Sequence, residues 1–591
     1  MKPLDAGTGR LCASFDTGSA AWLSLGAPHA RHGFVELSAL PPFDESMRGD
    51  PDATRRHRLE MTRPEHAFLS VEIDGERPLL KADPSHPSRP RWSGAGLAVE
   101  VEAEPDASVI RQLWAFGAGS NPNVRIAARG RVYRPALAEL PELDSPVHTG
   151  VHTTLVVAGD TVRWEAPDLP GTAMVSVLGC RVDWQRVGDR LVGSMTWPPD
   201  AEPRSLMIEA HLGLLPIRGV PTASSKTTRN RLTDRALAYV RGCTVLRVAS
   251  DERAILTDHR MLPLSWTRDA YWQSLALLAA DGQEDRMRVA DHLRWLWRRC
   301  ERPDGRWVRS HHANGRRKDL AFQADQQLYP LVELADYWRL TRTLPDGIDW
   351  PASVARAWAA ALEEVDPAVG LIASAENAAD DPATAPYIGA SQILLWYTAR
   401  RVAEVTLEAN LGIDTAGLYA TADAVRVAFM EQFDCGPWPY AVDGAGLRVA
   451  YHDANDLPVV LAPVWGFCPP SDAGWLATMA FALSDANPGW VTGARSGLGS
   501  AHTPGPWTLG DVQAWMHARI VGDGSAAEAA LSRLEDVSFA DGSLPEAYDA
   551  NGDDRVRHWF AWPGAALAAL RLLDDAGHLH ERLATEAPRH R

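Results

Sequence analysis

Glu376, Asp380 and Asp381 crowd one stretch, SAENAADDPATAPYIGASQILLWY (374–397), just ahead of a long apolar segment. Like charges held close push one another's pKa upward, which is how a carboxyl group becomes a proton donor near neutrality. Nearer the C-terminus, DGSLPEAYDANGDDRVRHWFAWP (541–563) sets Glu546 directly after Pro545 and follows it with Tyr548, Trp559, Phe560 and Trp562. A solvated loop has no use for that aromatic surface, and a buried core has none for so many carboxylates. A pocket that grips a sugar while a carboxylate acts on it needs both. One carboxylate to protonate a leaving group and one to activate a water make the acid–base pair of a glycosidase.

Four further clusters supply groups that can hold hydroxyls. MLPLSWTRDAYWQ (261–273) places Trp266, Arg268 and Asp269 before an apolar helix, with Arg268 able to hold Asp269 in place. HHANGRRKDLAFQADQQLYPL (311–331) sets Asp325 and Gln326 inside an otherwise apolar helix. YHDANDLPVVLAPVWGFCPP (451–470) offers Asp453, Asn455 and Asp456, and GLGSAHTPGPWTLGDVQAW (497–515) presents His502 and Trp507 from a Gly/Pro-fixed loop. Each cluster also has a structural reading: an N-terminal helix acid, a satisfied buried Asp, a solvated acidic loop. A lone His is more often structural than catalytic, so His502 is expected to bind rather than to act as acid or base. With Tyr548, Trp559 and Trp562 these residues, Asp456 apart, form the expected substrate-binding set.

The elements that must position them change along the chain. Short alternating runs at 67–74, 96–104, 123–133, 153–164 and 180–197, separated by Gly, Pro and Asp, predict an antiparallel β-sandwich. PIRGVPTASSKTTRN (216–230) reads as a linker. Beyond about residue 230 the period becomes helical, starting with RLTDRALAYVRGCTVLRV, and about twelve helices follow, one of them opened by a Ser525/Glu528 capping box. Helices in hairpins with chemistry in the loops between them suggest an α/α toroid. The division expected is a β-sandwich over 1–220, a linker over 221–231 and a helical (α/α)6 catalytic domain over 232–591.

Bulk composition narrows the partners. The chain has 591 residues and a formal net charge of −17, which argues against a nucleic acid or an anionic membrane surface. Its six cysteines are scattered without a CxxC pair, as suits reduced thiols in a cytosol. No signal peptide and no apolar run of membrane-spanning length is visible, so a cytoplasmic location is expected. No HExxH, phosphate-cradling Gly loop or GxSxG elbow appears, and no metal or cofactor is expected. Nothing in the sequence specifies an oligomeric state. There are 23 Trp against 12 Phe and 11 Tyr, and indoles serve both as helix braces and as platforms for sugar rings.

At this point a family resemblance enters. SWTRDAYWQ resembles the WxRD segment of glucoamylase-like inverting glycosidases and the related segment of bacterial exo-α-1,6-mannosidases. FQADQQLYPLVELADYW, HDANDLPVVLAPVWGF and LPEAYDANGDDRVRHWFAWPGAAL are similar to successive mannosidase motifs, in the same order, over about residues 262–570. The resemblance implies Glu546 as general base and Arg268 with Asp269 as the substrate-gripping pair. It implies Asp381 or Asp380 as general acid on the mannosidase pattern, or Glu376 on the glucoamylase pattern, with Asp381 preferred. Two departures leave the sugar open: Pro545 stands where the mannosidases carry His, and a β domain of this size is a glucoamylase feature. The leading expectation is an exo-acting inverting α-glycoside hydrolase on an oligosaccharide or glycoside. The alternatives are a toroid phosphorylase, a polysaccharide lyase and a glycan-binding protein without activity.

Overall fold

The computed structural model describes residues 2–41, 51–83, 85–86, 88–117, 122–135, 153–167, 172–198, 204–213, 230–318, 320–556 and 559–585. The linker expected over 221–231 lies, apart from its last two residues, outside the described residues. The chain forms two compact units. The first is Met1–Leu264 with His312–Asn314 and Ala540–Gly542; the second is Ser265–His311, Gly315–Phe539 and Ser543–Arg591.

The first unit carries two large antiparallel sheets. One contains, in spatial order, Leu4–Gly7, Cys12–Phe15, Trp22–His29, Leu69–Ile73, Val124–Ala128, Arg190–Thr196 and Arg181–Val187. The other runs from Thr154–Ala158 through Thr172–Leu178, Ser205–Gly213 and Ile110–Phe116 to Lys81–Asp83. Ser205–Gly213 shows why these segments are strands, for its inward and outward residues alternate along the whole run. Apolar residues of both sheets join one buried cluster that includes Trp22, Phe68, Trp114, Trp164 and Ile208.

Several of the tryptophans are thereby explained as core. The indole N–H groups of Trp22 and Trp114 both donate to the side-chain oxygen of buried Gln112, at 2.8 and 3.0 Å. Gln112 in turn donates to the Ala20 carbonyl at 2.6 Å, so the polar atoms buried with these rings are satisfied.

The helices, in chain order, are α1 (Pro51–Glu60) and α2 (Arg231–Tyr239) in the first unit. The second unit carries α3 (Thr267–Ala280), α4 (Gln283–Arg294), α5 (Ala324–Thr341), α6 (Trp350–Leu362), α7 (Gly389–Ala409) and α8 (Thr415–Phe433). It continues with α9 (Leu457–Trp465), α10 (Ala473–Ala482), α11 (Thr508–Val521), α12 (Gly524–Val537), α13 (Trp562–Asp575) and α14 (Leu579–Leu583). Helices α3, α5, α7, α9, α11 and α13 each touch the next in that order, and α13 returns to α3. The ring is closed. Of the others, α4, α6, α8 and α12 each pack on the odd-numbered helix before them. Ring helices are buried on nearly every side, as α3 and α7 show, whereas α8 and α12 bury a single stripe.

Two local expectations are corrected. The helical run read from residue 231 continues past Tyr239 only as a π-helical turn over Val240–Thr244, and Val245–Ala249 then pairs with Glu252–Ile255 as a hairpin, where β-branched Val245 and Val248 suit a strand. The start of α12 is capped by Asp523, not by a Ser525/Glu528 box. Asp523 accepts from the Ala526 backbone N–H at 3.0 Å and also takes the Ser525 hydroxyl, so the charged acceptor two residues upstream captures the cap.

One buried acid on the ring yields a stability prediction. Glu333 of α5 is 1% exposed and lies 3.7 Å from the His292 imidazole. Burial pushes its pKa up to about 8, against the smaller opposing effect of the Ser274 hydroxyl. A carboxyl whose folded pKa is raised stabilises the fold fully only below its unfolded value and loses that contribution as pH climbs through the folded one. Glu333→Gln stays neutral throughout. Between pH 5 and 8 the wild-type Tm is therefore expected to fall by a few degrees more than that of the variant. Parallel melting curves for the two proteins would remove the idea.

Candidate active site

The side chains singled out in the sequence gather at one end of the ring, because the loops that carry them run into the N-termini of the ring helices. Trp266 is the N-cap of α3, Gln323 of α5, Asp456 of α9 and Trp507 of α11. The 374–388 stretch leads into α7, and Trp562 opens α13. The N–H ends of these ring helices therefore face a cluster of acids.

Arg268 is the hub of the first group. Its guanidinium donates to Asp325 at 2.9 Å and to the Gln323 side-chain oxygen at 3.1 Å, and it lies 3.5 Å from Asp269 and 3.8 Å from Asp380. Its planar head sits 4.8 Å over the Trp562 ring. It is 4% exposed, and although burial alone disfavours its charge, Asp325, Asp269 and Asp380 push its pKa up. Gln326 accepts from the Thr267 hydroxyl and from the Arg268 backbone N–H, and so ties α5 to the start of α3.

The three acids ahead of α7 differ in what holds them. Both oxygens of Glu376 are taken: Arg309 donates to them at 3.1 and 3.3 Å, and Gln323 adds a bond of 3.0 Å. Both oxygens of Asp380 are engaged as well, Oδ2 by the Trp266 indole at 3.1 Å and Oδ1 by Gln323 at 2.5 Å. Among the described residues Asp381 meets the His502 imidazole on Oδ1, at 3.1 Å, and its buried Oδ2 has no hydrogen-bond partner. Asn377 shapes this turn, its side-chain oxygen accepting the N–H groups of Ala379 and Asp381 while Asp380 takes φ +66°.

Glu546 sits on a small hairpin in which Ala547–Tyr548 pairs with Arg555–Val556. Its N–H donates to the Val556 carbonyl at 2.9 Å and its carbonyl accepts from Thr508 at 3.1 Å, so the backbone is fixed on both sides. The carboxylate is buried and accepts from the Thr503 hydroxyl at 3.3 Å. Tyr548 turns toward buried Asp511, donating to it at 2.7 Å, and Arg533 closes that network from the other side. Trp559 is buried at 2% exposure on the stretch that returns to α13.

Asp453 is held by four donors: the hydroxyls of Tyr451 and Ser500 and the backbone and amide N–H groups of Asn455, at 2.8 to 2.9 Å. Burial still raises its pKa, and burial together with Asp453 and Asp325 pushes Asp456 well above the carboxylate range. Trp507 lies 6.3 Å from His502, ring to ring, and donates its indole N–H to the Thr503 carbonyl at 2.9 Å.

Sequence reasoning missed Gln323, Arg309 and Thr503. Gln323 bridges Arg268, Gln326, Glu376 and Asp380, and Arg309 neutralises Glu376. Gln323 stands two residues before Asp325 in a stretch already singled out, and that proximity was its one signal. No group of His, Cys, Asp and Glu among the described residues is arranged to hold a metal ion.

A family model described as metal-independent alpha-mannosidase matches residues 356–572, which span the acidic turn and the Glu546 hairpin. Among solved structures, a metal-independent α-mannosidase from Streptococcus pneumoniae, in a non-productive complex with α-1,6-mannobiose, aligns at a TM-score of 0.50. That alignment has 19% identity and covers 58% of this chain and 93% of the other. A bacterial glucoamylase complexed with acarbose aligns at a TM-score of 0.61 with 10% identity, covering 99% of this chain and 94% of the other. Residues 356–572 are thus similar to a glycoside hydrolase family, and the closed ring of helices has the toroid fold of the solved glycosidases. No curated protein sequence matches this chain at a significant level. No helix among its described residues is long and apolar enough to cross a membrane.

Proposed function

We propose that this exo-acting, inverting α-glycoside hydrolase cleaves a terminal α-linked mannose from an oligosaccharide, with Asp381 as general acid and Glu546 as general base. The observation that carries the assignment is the unequal engagement of the three acids. Glu376 and Asp380 have both oxygens filled by donors, whereas Asp381 has one oxygen, Oδ2, that no donor among the described residues engages and that a proton can occupy. In the reaction Asp381 protonates the glycosidic oxygen as its bond to the anomeric carbon breaks. Glu546 takes a proton from the water whose oxygen attacks that carbon from the opposite face. His502 and Thr503 are consecutive, about 3.8 Å apart at Cα, and each reaches one of the two carboxylates. Such a pair fits the wider gap of inverting sites, about 6.5–9.5 Å.

Arg268, Asp269 and Asp325 grip ring hydroxyls through charged hydrogen bonds, and Trp266, Gln326, Asp453, Asn455, Trp507, Trp559 and Trp562 complete the walls. Tyr548 contributes by fixing the hairpin. Mannose is favoured because the family model spans both proposed catalytic segments. The first unit folds its two sheets face to face as a β-sandwich, which the single apolar cluster shared by both supports. We assign residues 1–220 a structural role, 221–231 to the linker and catalysis to 232–591.

The deciding test is a panel of nitrophenyl α-glycosides, with and without phosphate and EDTA, read by proton NMR of the first-formed sugar. Hydrolysis of the α-mannoside to the β anomer, unaffected by EDTA, is expected. Release of the α anomer would mean retention and would remove Glu546 as base. Asp269→Ala is expected to lower kcat/KM by about 10- to 100-fold, the loss of roughly 1.5–3 kcal/mol for a hydrogen bond to a charged group. An unchanged specificity constant would take Asp269 out of the site.

A further inference from the structure

The loop ahead of α11 reaches three acids of the site with three of its side chains. Ser500 donates to Asp453 at 2.9 Å, His502 meets Asp381 at 3.1 Å and Thr503 donates to Glu546 at 3.3 Å. The loop is stiff. Gly499 and Pro506 pair across its base, the Ala501 N–H donates to the Tyr451 hydroxyl, and the Thr503 carbonyl is held by the Trp507 indole. Gly505 takes φ +114°, and a Cβ there would meet the Tyr548 carbonyl at 2.3 Å, so the turn runs directly against the Glu546 hairpin. Ser500 is 9% exposed, whereas the His502 side chain keeps 29% of its surface.

We infer that His502 and Thr503 are a paired positioning device, in which two adjacent residues of one rigid loop separately orient the proton donor and the water-activating carboxylate. The inference rests on the assignment of Asp381 and Glu546 above. His502 Nδ1–H donates to Asp381 Oδ1, which leaves the acid's proton on Oδ2, the oxygen without a partner among the described residues. The Thr503 hydroxyl donates to Glu546 Oε2 and so fixes the rotamer of the base. Neither residue forms or breaks a bond to the substrate. Because both hang from one backbone, the spacing of acid and base is set by the loop rather than by the separate elements that carry Asp381 and Glu546.

The two positions have distinguishable signatures. Proton donation matters most when the leaving group is poor, whereas water activation is needed whatever leaves. His502→Ala is expected to lower kcat/KM on the order of 10-fold or more for a methyl α-glycoside, and to leave the 2,4-dinitrophenyl α-glycoside nearly untouched. His502→Asn, whose amide nitrogen takes the place of Nδ1, is expected to restore most of the loss. Thr503→Val, equal in shape but without the hydroxyl, is expected to lower both substrates alike, with Thr503→Ser restoring them. Should the alanine or valine variant fail to fold, the asparagine and serine variants carry the comparison. The inference is overturned if His502→Ala lowers both substrates equally, or if either conservative variant is as impaired as the disruptive one. Asp381→Asn and Glu546→Gln serve as references. If these two leave hydrolysis intact, the acid–base assignment itself has failed; if they abolish it while the loop variants show no split, the loop inference alone has failed.

Discussion

Glu546→Gln is expected to cost at least the 10²–10⁴-fold in kcat that accompanies loss of a positioned base. The amide keeps the shape of the side chain and can still meet the Thr503 hydroxyl, but it cannot take a proton from water. The hairpin should survive, since it is held by backbone bonds to Val556 and Thr508 rather than by the carboxylate. The loss should therefore appear in turnover, with substrate binding and the circular dichroism spectrum little changed. Because water must be activated whatever the leaving group, nitrophenyl and alkyl glycosides should suffer together. A variant that hydrolyses at more than about a tenth of the wild-type rate would rule Glu546 out as the base.

Asp381→Asn should behave differently. Its defect is expected to be largest for alkyl glycosides and disaccharides, on the order of 10²–10⁴-fold, and to shrink toward wild type for 2,4-dinitrophenyl glycosides, which leave without help. Glu376→Gln and Asp380→Asn act through other residues. Glu376 balances Arg309 and shares Gln323 with Asp380, and Asp380 holds the Trp266 indole and lies beside Arg268. Either change disturbs the sugar-gripping groups and should penalise both substrate types alike. If Glu376→Gln shows the leaving-group dependence and Asp381→Asn does not, the acid has been misassigned within the turn.

What could be read without coordinates was what local pattern encodes. Alternation marked segments such as 96–104, and the helical period marked α3, α5 and α7, because both periods are written in neighbouring residues. The acids and indoles of the site stood out by type, since such groups are costly in an apolar context unless they are used. Ring closure was not written locally, for α3 and α13 lie at opposite ends of the second unit's sequence and meet only in three dimensions. The parts of Gln323, Arg309 and Thr503 were hidden for a related reason. A glutamine or a threonine reveals its role through the oxygen it reaches, as Gln323 does with Asp380 and Thr503 with Glu546. The tryptophans were ambiguous because one side chain serves two ends, and Trp22 and Trp114 are core rings sharing a single glutamine.

The seam between α3 and α13 also bears on how the enzyme comes into being. Of the ring helices α3 is synthesised first and α13 last, so the nascent chain holds the other five ring members before the sixth exists. Until then the flank of α3 that α13 will cover stays exposed, and Arg268 lacks the Trp562 ring beneath it. A chain halted before residue 562 would thus present a sticky, open arc rather than a partial enzyme. Cells making this protein have reason to shield that arc until α13 has emerged, and hydrolysis should switch on abruptly once it docks rather than grow as the chain lengthens.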